Sequence, residues 1–113
     1  MTKKQMTQSE YIEHIEALYI EALDLVKKKN NDYATKSDPF KNFKNSLLIG
    51  VPIEKGIMVR ILDKITRISH LLEKEPDVVE ESIRDSILDC CNYLCILQTY
   101  LSQQKTLDKS DLM

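Results

Sequence analysis

Tryptophan is absent from this chain, and glycine and proline are scarce, two and three in 113 residues. So few backbone breakers, beside many Leu, Ile, Lys and Glu residues, argue against a turn-rich β fold and for an all-α one. No apolar run approaches the roughly 20 residues that span a bilayer, so no membrane partner is expected. The opening Met1-Thr2-Lys3-Lys4-Gln5-Met6 leads into polar residues, which predicts no signal peptide and a cytoplasmic location. A dominant charge is also missing: 16 Lys and Arg against 18 Asp and Glu give a formal −2. That balance supplies no basic field for duplex nucleic acid. Histidine occurs only as His14 and His70, neither in a metal-ligating spacing, and both read as surface or packing residues. The three cysteines, Cys90, Cys91 and Cys95, fall on one predicted helix with no second cluster to complete a zinc site. They read as small buried hydrophobes in a reducing compartment.

What is present organises into one domain over residues 1–113, with flexible ends expected at about 1–8 and 104–113. A first helix is predicted over residues 9–28, capped by Thr7 or Ser9, with Glu10 in its first turn and Lys27, Lys28 and Lys29 at its end. Its apolar face is Tyr11, Ile12, Ile15, Leu18, Tyr19, Ala22, Leu25 and Val26; Glu13-x-x-Glu16 reads as solvated rather than as a metal pair. Turn-forming residues 30–39 follow, then a short helix over 40–49 with Phe40, Phe43 and Leu47 inward, stopped by Gly50 and Pro52. Two more long helices are predicted over residues 53–74 and 78–103, broken at Glu75-Pro76-Asp77. Three long helices and one short one make a compact antiparallel bundle.

The fourth helix carries the strongest functional signal. Glu81, Asp85, Asp89 and Asn92 share one face, while Ile83, Ile87, Cys90, Leu94, Leu97 and Leu101 form the expected core stripe opposite. From Cys90 onward the acidic side also turns apolar, with Tyr93, Ile96 and Tyr100, which predicts a helix buried nearly all round. Carboxylates taken into such surroundings need a cation, so Asp85 and Asp89 are candidates for chemistry or binding. On the third helix, Ile57, Ile61, Leu62, Ile65, Ile68 and Leu72 form the expected core side. Arg60, Asp63, Lys64 and Arg67 lie together on its other side, facing either the two aspartates or a phosphate held between the helices. The same cations also suit a purely structural ion-pair network.

The run Arg60-Ile61-Leu62-Asp63-Lys64-Ile65-Thr66-Arg67, then Glu81-Ser82-Ile83-Arg84-Asp85 through Asp89 and Asn92-Tyr93, resembles the nucleotide modification associated domain. That is a small helical family frequent in phage and prophage genomes. Upstream, Lys29-Asn30-Asn31-Asp32-Tyr33 and Asp38-Pro39-Phe40-Lys41-Asn42-Phe43 look like its opening motif, a Lys-x-x-Asp-Tyr element followed by a Phe-x-x-Phe turn. The likeness covers roughly residues 27–97 and implies nucleotide metabolism. The chain is also distantly similar to the MazG-like all-α nucleoside triphosphate pyrophosphohydrolases, oligomeric bundles that hold Mg²⁺ between acidic helices. Here Asp63-Lys64 and Ser82 stand where that scheme has glutamates, removing oxygen ligands that Mg²⁺ needs.

Two functions follow. As a Mg²⁺-dependent nucleotide pyrophosphohydrolase, the chain would use Asp85 and Asp89 catalytically, with Glu81 and Asp63 as further metal ligands. Arg60, Lys64, Arg67 and Lys29 would hold phosphates, and Asn92, Tyr93, Asp32 and Tyr33 would contact base or sugar. As a non-catalytic binder, it would sequester a phosphorylated nucleotide, such as a cyclic signal, on the same cations without metal. A protein-binding role for Leu88, Tyr93, Ile96 and Tyr100 fits either. A helix apolar on all sides predicts a homo-oligomer.

Overall fold

The structure, a computed structural model, describes residues 4–33 and 38–111, for 31–33, 76 and 108–111 the backbone alone. It is all-α: helix α1 (Gln8–Tyr33), a 3₁₀ segment (Lys41–Ile49), helix α2 (Ile53–Leu72) and helix α3 (Pro76–Asp111).

Thr7 starts α1 with a capping box. Its hydroxyl lies 3.1 Å from the Glu10 amide, while the Glu10 carboxylate returns to the Thr7 hydroxyl at 2.9 Å and to its amide at 3.4 Å. Such a cap is worth about 1 kcal/mol to the helix. α1 does not stop after the lysines as the sequence predicted, but continues through Asn30 and Asn31 to Tyr33. α3 likewise continues past residue 103 to Asp111, so the expected fraying tail is helical that far.

A short turn folds α3 back along α2. Ile53, Ile57 and Ile61 form the buried side of α2, with Ile57 fully enclosed, and Cys90, Tyr93, Ile96, Leu97 and Tyr100 of α3 pack on it. The 3₁₀ segment closes one end of this seam. Phe40 meets the edge of Tyr100 at 5.4 Å and Phe43 that of Tyr93 at 6.3 Å, both near-perpendicular contacts that aromatic quadrupoles favour. Gly50, at φ 74°, ends the segment, and its amide returns to the Leu47 carbonyl at 3.1 Å. A left-handed residue there strains any side chain, and glycine is free of the penalty. Gly56 lets α2 approach: a Cβ there would sit 2.9 Å from the Ser46 hydroxyl. That hydroxyl is donated to the Phe43 and Val51 carbonyls at 3.2 and 2.9 Å, pinning the segment's last turn.

α1 packs on α3 and makes no packing contact with α2 among the described residues. Ala22 and Leu88 are buried on the two helices that meet here, and Arg84 pairs with Glu21. The first half of α1 projects past this crossing, with Tyr11, Ile12, Ile15 and Tyr19 exposed.

Several expected core positions are not covered. Leu47, Leu62, Ile65, Leu72, Ile87, Leu94 and Leu101 are all exposed. α3 instead turns Ser86, Tyr93, Leu97 and Tyr100 inward, the side that carries aromatics rather than the uniform Ile/Leu stripe. The expectation that the cysteines are buried is also corrected: Cys90 is half-buried, but Cys91 and Cys95 are exposed free thiols.

Candidate functional site

Where α1, the 3₁₀ segment, α2 and α3 come together they line an open cleft of about 470 Å³. That volume lies in the range that small-molecule sites occupy. α3 supplies Asp89, Asn92, Tyr93 and Ile96; α1 supplies Val26, Lys29 and Asn30; α2 supplies Arg60; the 3₁₀ segment and the residues before it supply Asp38, Lys41, Asn42 and Phe43. A second, smaller depression of about 330 Å³ adjoins it, lined by Arg60, Asp63, Lys64, Arg67 and Tyr93. Arg60 and Tyr93 belong to both, so the two hollows form one surface.

Asp89 is the organising charge. Lys29 of α1 donates to its Oδ1 at 3.1 Å, and Lys64 of α2 forms an ion pair with its Oδ2 at 3.2 Å. The Asp89 side chain is 21% exposed, against 54% for Lys29 and 29% for Lys64. The pair is therefore partly dried, which strengthens it above a fully solvated surface bridge. This contact exists because α1 does not end at Lys29: another turn of helix holds the lysine over α3.

The guanidinium carbon of Arg60 lies over the Phe43 ring, 5.0 Å from its centroid, and Arg60 donates to the Asn42 carbonyl at 3.3 Å. Stacking of this kind fixes a guanidinium while leaving most of its donors free. Asn92 donates its side-chain amide to the Ala22 carbonyl of α1 at 3.0 Å. Tyr93 stands edge-on against Phe43 at the shared wall of both hollows. At the rim, the Asp38 carboxylate pairs with Lys44 and also accepts the Phe40 amide at 3.0 Å. These two contacts, Lys44 first and the Phe40 amide second, hold its pKa below the ordinary carboxylate value.

The two hollows are lined by Lys29, Lys41, Arg60, Lys64 and Arg67 and by Asp38, Asp63 and Asp89. Five positive against three negative charges leave two in excess, on a chain whose formal charge is −2. The electrostatics suit a multiply charged anion, and the aromatic and amide groups beside it suit a flat polar ring.

The sequence-predicted residues divide accordingly. Asp89, Asn92, Tyr93, Arg60 and Lys29 line the main cleft; Lys64, Arg67 and Asp63 line its annexe. Asp85 and Glu81 do not join them: both are exposed, which overturns the expectation that Asp85 lies in a dry interior. The cations that meet Asp89 are Lys64, from the stripe expected to face it, and Lys29 of α1. Asp32 and Tyr33 have side chains outside the described residues. Lys41, Asn42 and Asp38 entered only as part of the motif that carries Phe-x-x-Phe and not as site residues; their position is set by the aromatic anchoring of the 3₁₀ segment.

A Mg²⁺ site of the kind the sequence raised requires several carboxylate oxygens converging on one point. Asp85 faces solvent, Asp89 is engaged by two ammonium groups, and among the described residues no three His, Cys, Asp or Glu side chains are grouped to hold a metal. The described side chains do not fit the ion. No helix is long and apolar enough to cross a membrane among the described residues. Compared with family models, curated proteins and solved structures, the chain matches none.

Proposed function

We propose that this chain binds a phosphorylated nucleotide in the cleft between α1, α2 and α3, holding it by charge and stacking without a metal. The observation that carries the reading is the placement of five cations along two adjoining hollows that share Arg60 and Tyr93. Arg60, Lys64 and Arg67 take the phosphate oxygens, Arg60 in a fork that its stacking on Phe43 keeps oriented. Lys29 and Lys41 close on the same group from the opposite wall. Tyr93 offers a ring face or edge to the base, and the Asn92 amide group a polar partner for base or sugar. Asp89 acts as a counter-ion that keeps two lysines gathered while the cleft is empty. The role is binding and sequestration rather than Mg²⁺-dependent hydrolysis, because Asp89 is engaged by lysines and Asp85 faces away. The working form is a homo-oligomer, a reading supported by the apolar helix surface that a single copy leaves open.

Titration calorimetry with nucleoside mono-, di- and triphosphates and cyclic nucleotides, each in EDTA and in Mg²⁺, tests this. The expected result is binding in EDTA, and recovery of intact nucleotide after heating the complex. Binding only with Mg²⁺, or release of pyrophosphate, would return the reading to hydrolysis.

A further inference from the structure

The hairpin of α2 and α3 has two unlike sides. On one lie α1 and the cleft, marked on α2 by Arg60, Asp63 and Arg67 and on α3 by Asp89 and Asn92. The other lies roughly a quarter-turn round each helix in the opposite sense from the seam residues Ile57 and Tyr93. There α2 presents Met58, Leu62, Ile65 and Leu72, and α3 presents Ile87, Leu94 and Leu101, all of them exposed. Because the two helices run antiparallel, these stripes lie side by side and make one apolar face, with Glu54 and Lys105 one helical turn beyond Met58 and Leu101 at one end of it. Leu62, Ile65 and Leu94 are 54%, 49% and 51% exposed there.

The molecule as a whole exposes more surface than a compact chain of its mass. Its accessible surface is 9420 Å², where a compact monomer of 13.1 kDa exposes about 6,400 Å². Its radius of gyration is 17.8 Å, where a compact domain of this length has about 13 Å. The excess is about 3,000 Å² per chain, and obligate dimers bury on the order of 1,000–2,500 Å² per partner. One apolar face buried against a partner falls within that excess.

We infer that this outer face of the α2–α3 hairpin packs against the same face of a second copy, about a two-fold axis, to complete a four-helix core. A second copy is the occupant the chemistry favours. From Met58 to Leu72 and from Ile87 to Leu101 the band carries no charge to repel its own image, and a two-fold contact asks each patch to be self-complementary. It also explains the sequence: the Ile/Leu stripes that read as core on both helices are core in the pair. The inference rests on the homo-oligomer part of the proposed function and not on its ligand, since the cleft lies across the hairpin.

Light scattering of the full chain tests it. The wild type is expected at twice 13.1 kDa, and the double variant Leu62→Glu/Leu94→Glu at the single-chain mass with its helical circular dichroism retained. Tyr19→Glu, on the projecting half of α1, is expected to keep the doubled mass. A monomeric wild type overturns the inference, as does a folded double variant of doubled mass or a monomeric Tyr19→Glu. Should the double variant unfold, a photo-crosslinking residue at position 94 of the otherwise unaltered chain decides. Crosslinks to α2 or α3 of another copy support the face, and none, or crosslinks to α1 alone, refute it. Nucleotide titration of the monomeric variant separates the two proposals. Binding retained there supports placing the interface away from the cleft, and binding lost in a folded variant contradicts that placement.

Discussion

Replacing Asp89 by Asn separates a binder from a metal enzyme more sharply than any other single change. The substitution keeps the shape of the side chain and removes one negative charge from between Lys29 and Lys64. Stability falls modestly. Partly exposed ion pairs are worth about 0.2–1 kcal/mol each, so losing two costs about 1 kcal/mol. The effect on an anionic ligand has the opposite sign. A unit charge about 8 Å from a phosphate, at an effective dielectric of about 20, contributes about 2 kcal/mol of repulsion. Screening at physiological salt removes around half of this. Asp89→Asn is therefore expected to bind a nucleotide about five- to tenfold more tightly in EDTA, with a steeper loss of affinity as salt rises. Calorimetry at two salt concentrations reads both. A weaker complex, or one whose affinity depends on Mg²⁺ in the wild type and loses that dependence in the variant, would refute the reasoning and make Asp89 a metal ligand.

Other expectations are more local. Ile57→Ala empties a fully enclosed position at the α2–α3 seam and is expected to cost about 2–5 kcal/mol in urea unfolding; a loss below about 1 kcal/mol would contradict the packing described. Asp38 has its folded pKa held below the unfolded value of 3.8, so its contribution is present above that pH and lost as pH falls through the folded value. Acid unfolding of Asp38→Asn should accordingly lose steepness below about pH 4 compared with the wild type, and identical acid limbs would remove this role. For the thiols, burial first and the neighbouring Cys91 second raise the Cys90 pKa. Alkylation at neutral pH followed by peptide mass analysis is expected to label the exposed Cys91 and Cys95 well before Cys90. Equal rates at all three would show that Cys90 is not shielded.

The all-helical architecture was legible because its signals are local. Thr7 and Glu10 form the box their spacing advertises, and Gly50 takes the left-handed turn that stops the 3₁₀ segment. The ends of α1 and α3 were not legible. Asn30 and Asn31 are weak helix formers, yet they continue a helix long enough to bring Lys29 onto Asp89. Periodicity found apolar stripes on α2 and α3 but does not say which stripe a single chain covers. α3 carries two such sides, and the one with Tyr93 and Tyr100 won because Phe40 and Phe43 dock on it. The same ambiguity misplaced Asp85: it stands one turn before Asp89 on the helix, but outside the cleft that the lysines close. The meeting of Asp89 with Lys64 was foreseeable from complementary charge on adjacent helices. The roles of Lys41 and Asn42 required the path of the 3₁₀ segment.

Residue-resolved NMR titration of the labelled protein with a nucleoside phosphate in EDTA tests the central claim most directly. Shifts are expected at Arg60, Lys64, Asn92 and Tyr93, and at the 3₁₀ segment that carries Lys41, with the α2–α3 outer face unmoved. Silence at those residues until Mg²⁺ is added, or shifts centred on Asp85 and Glu81, would contradict it.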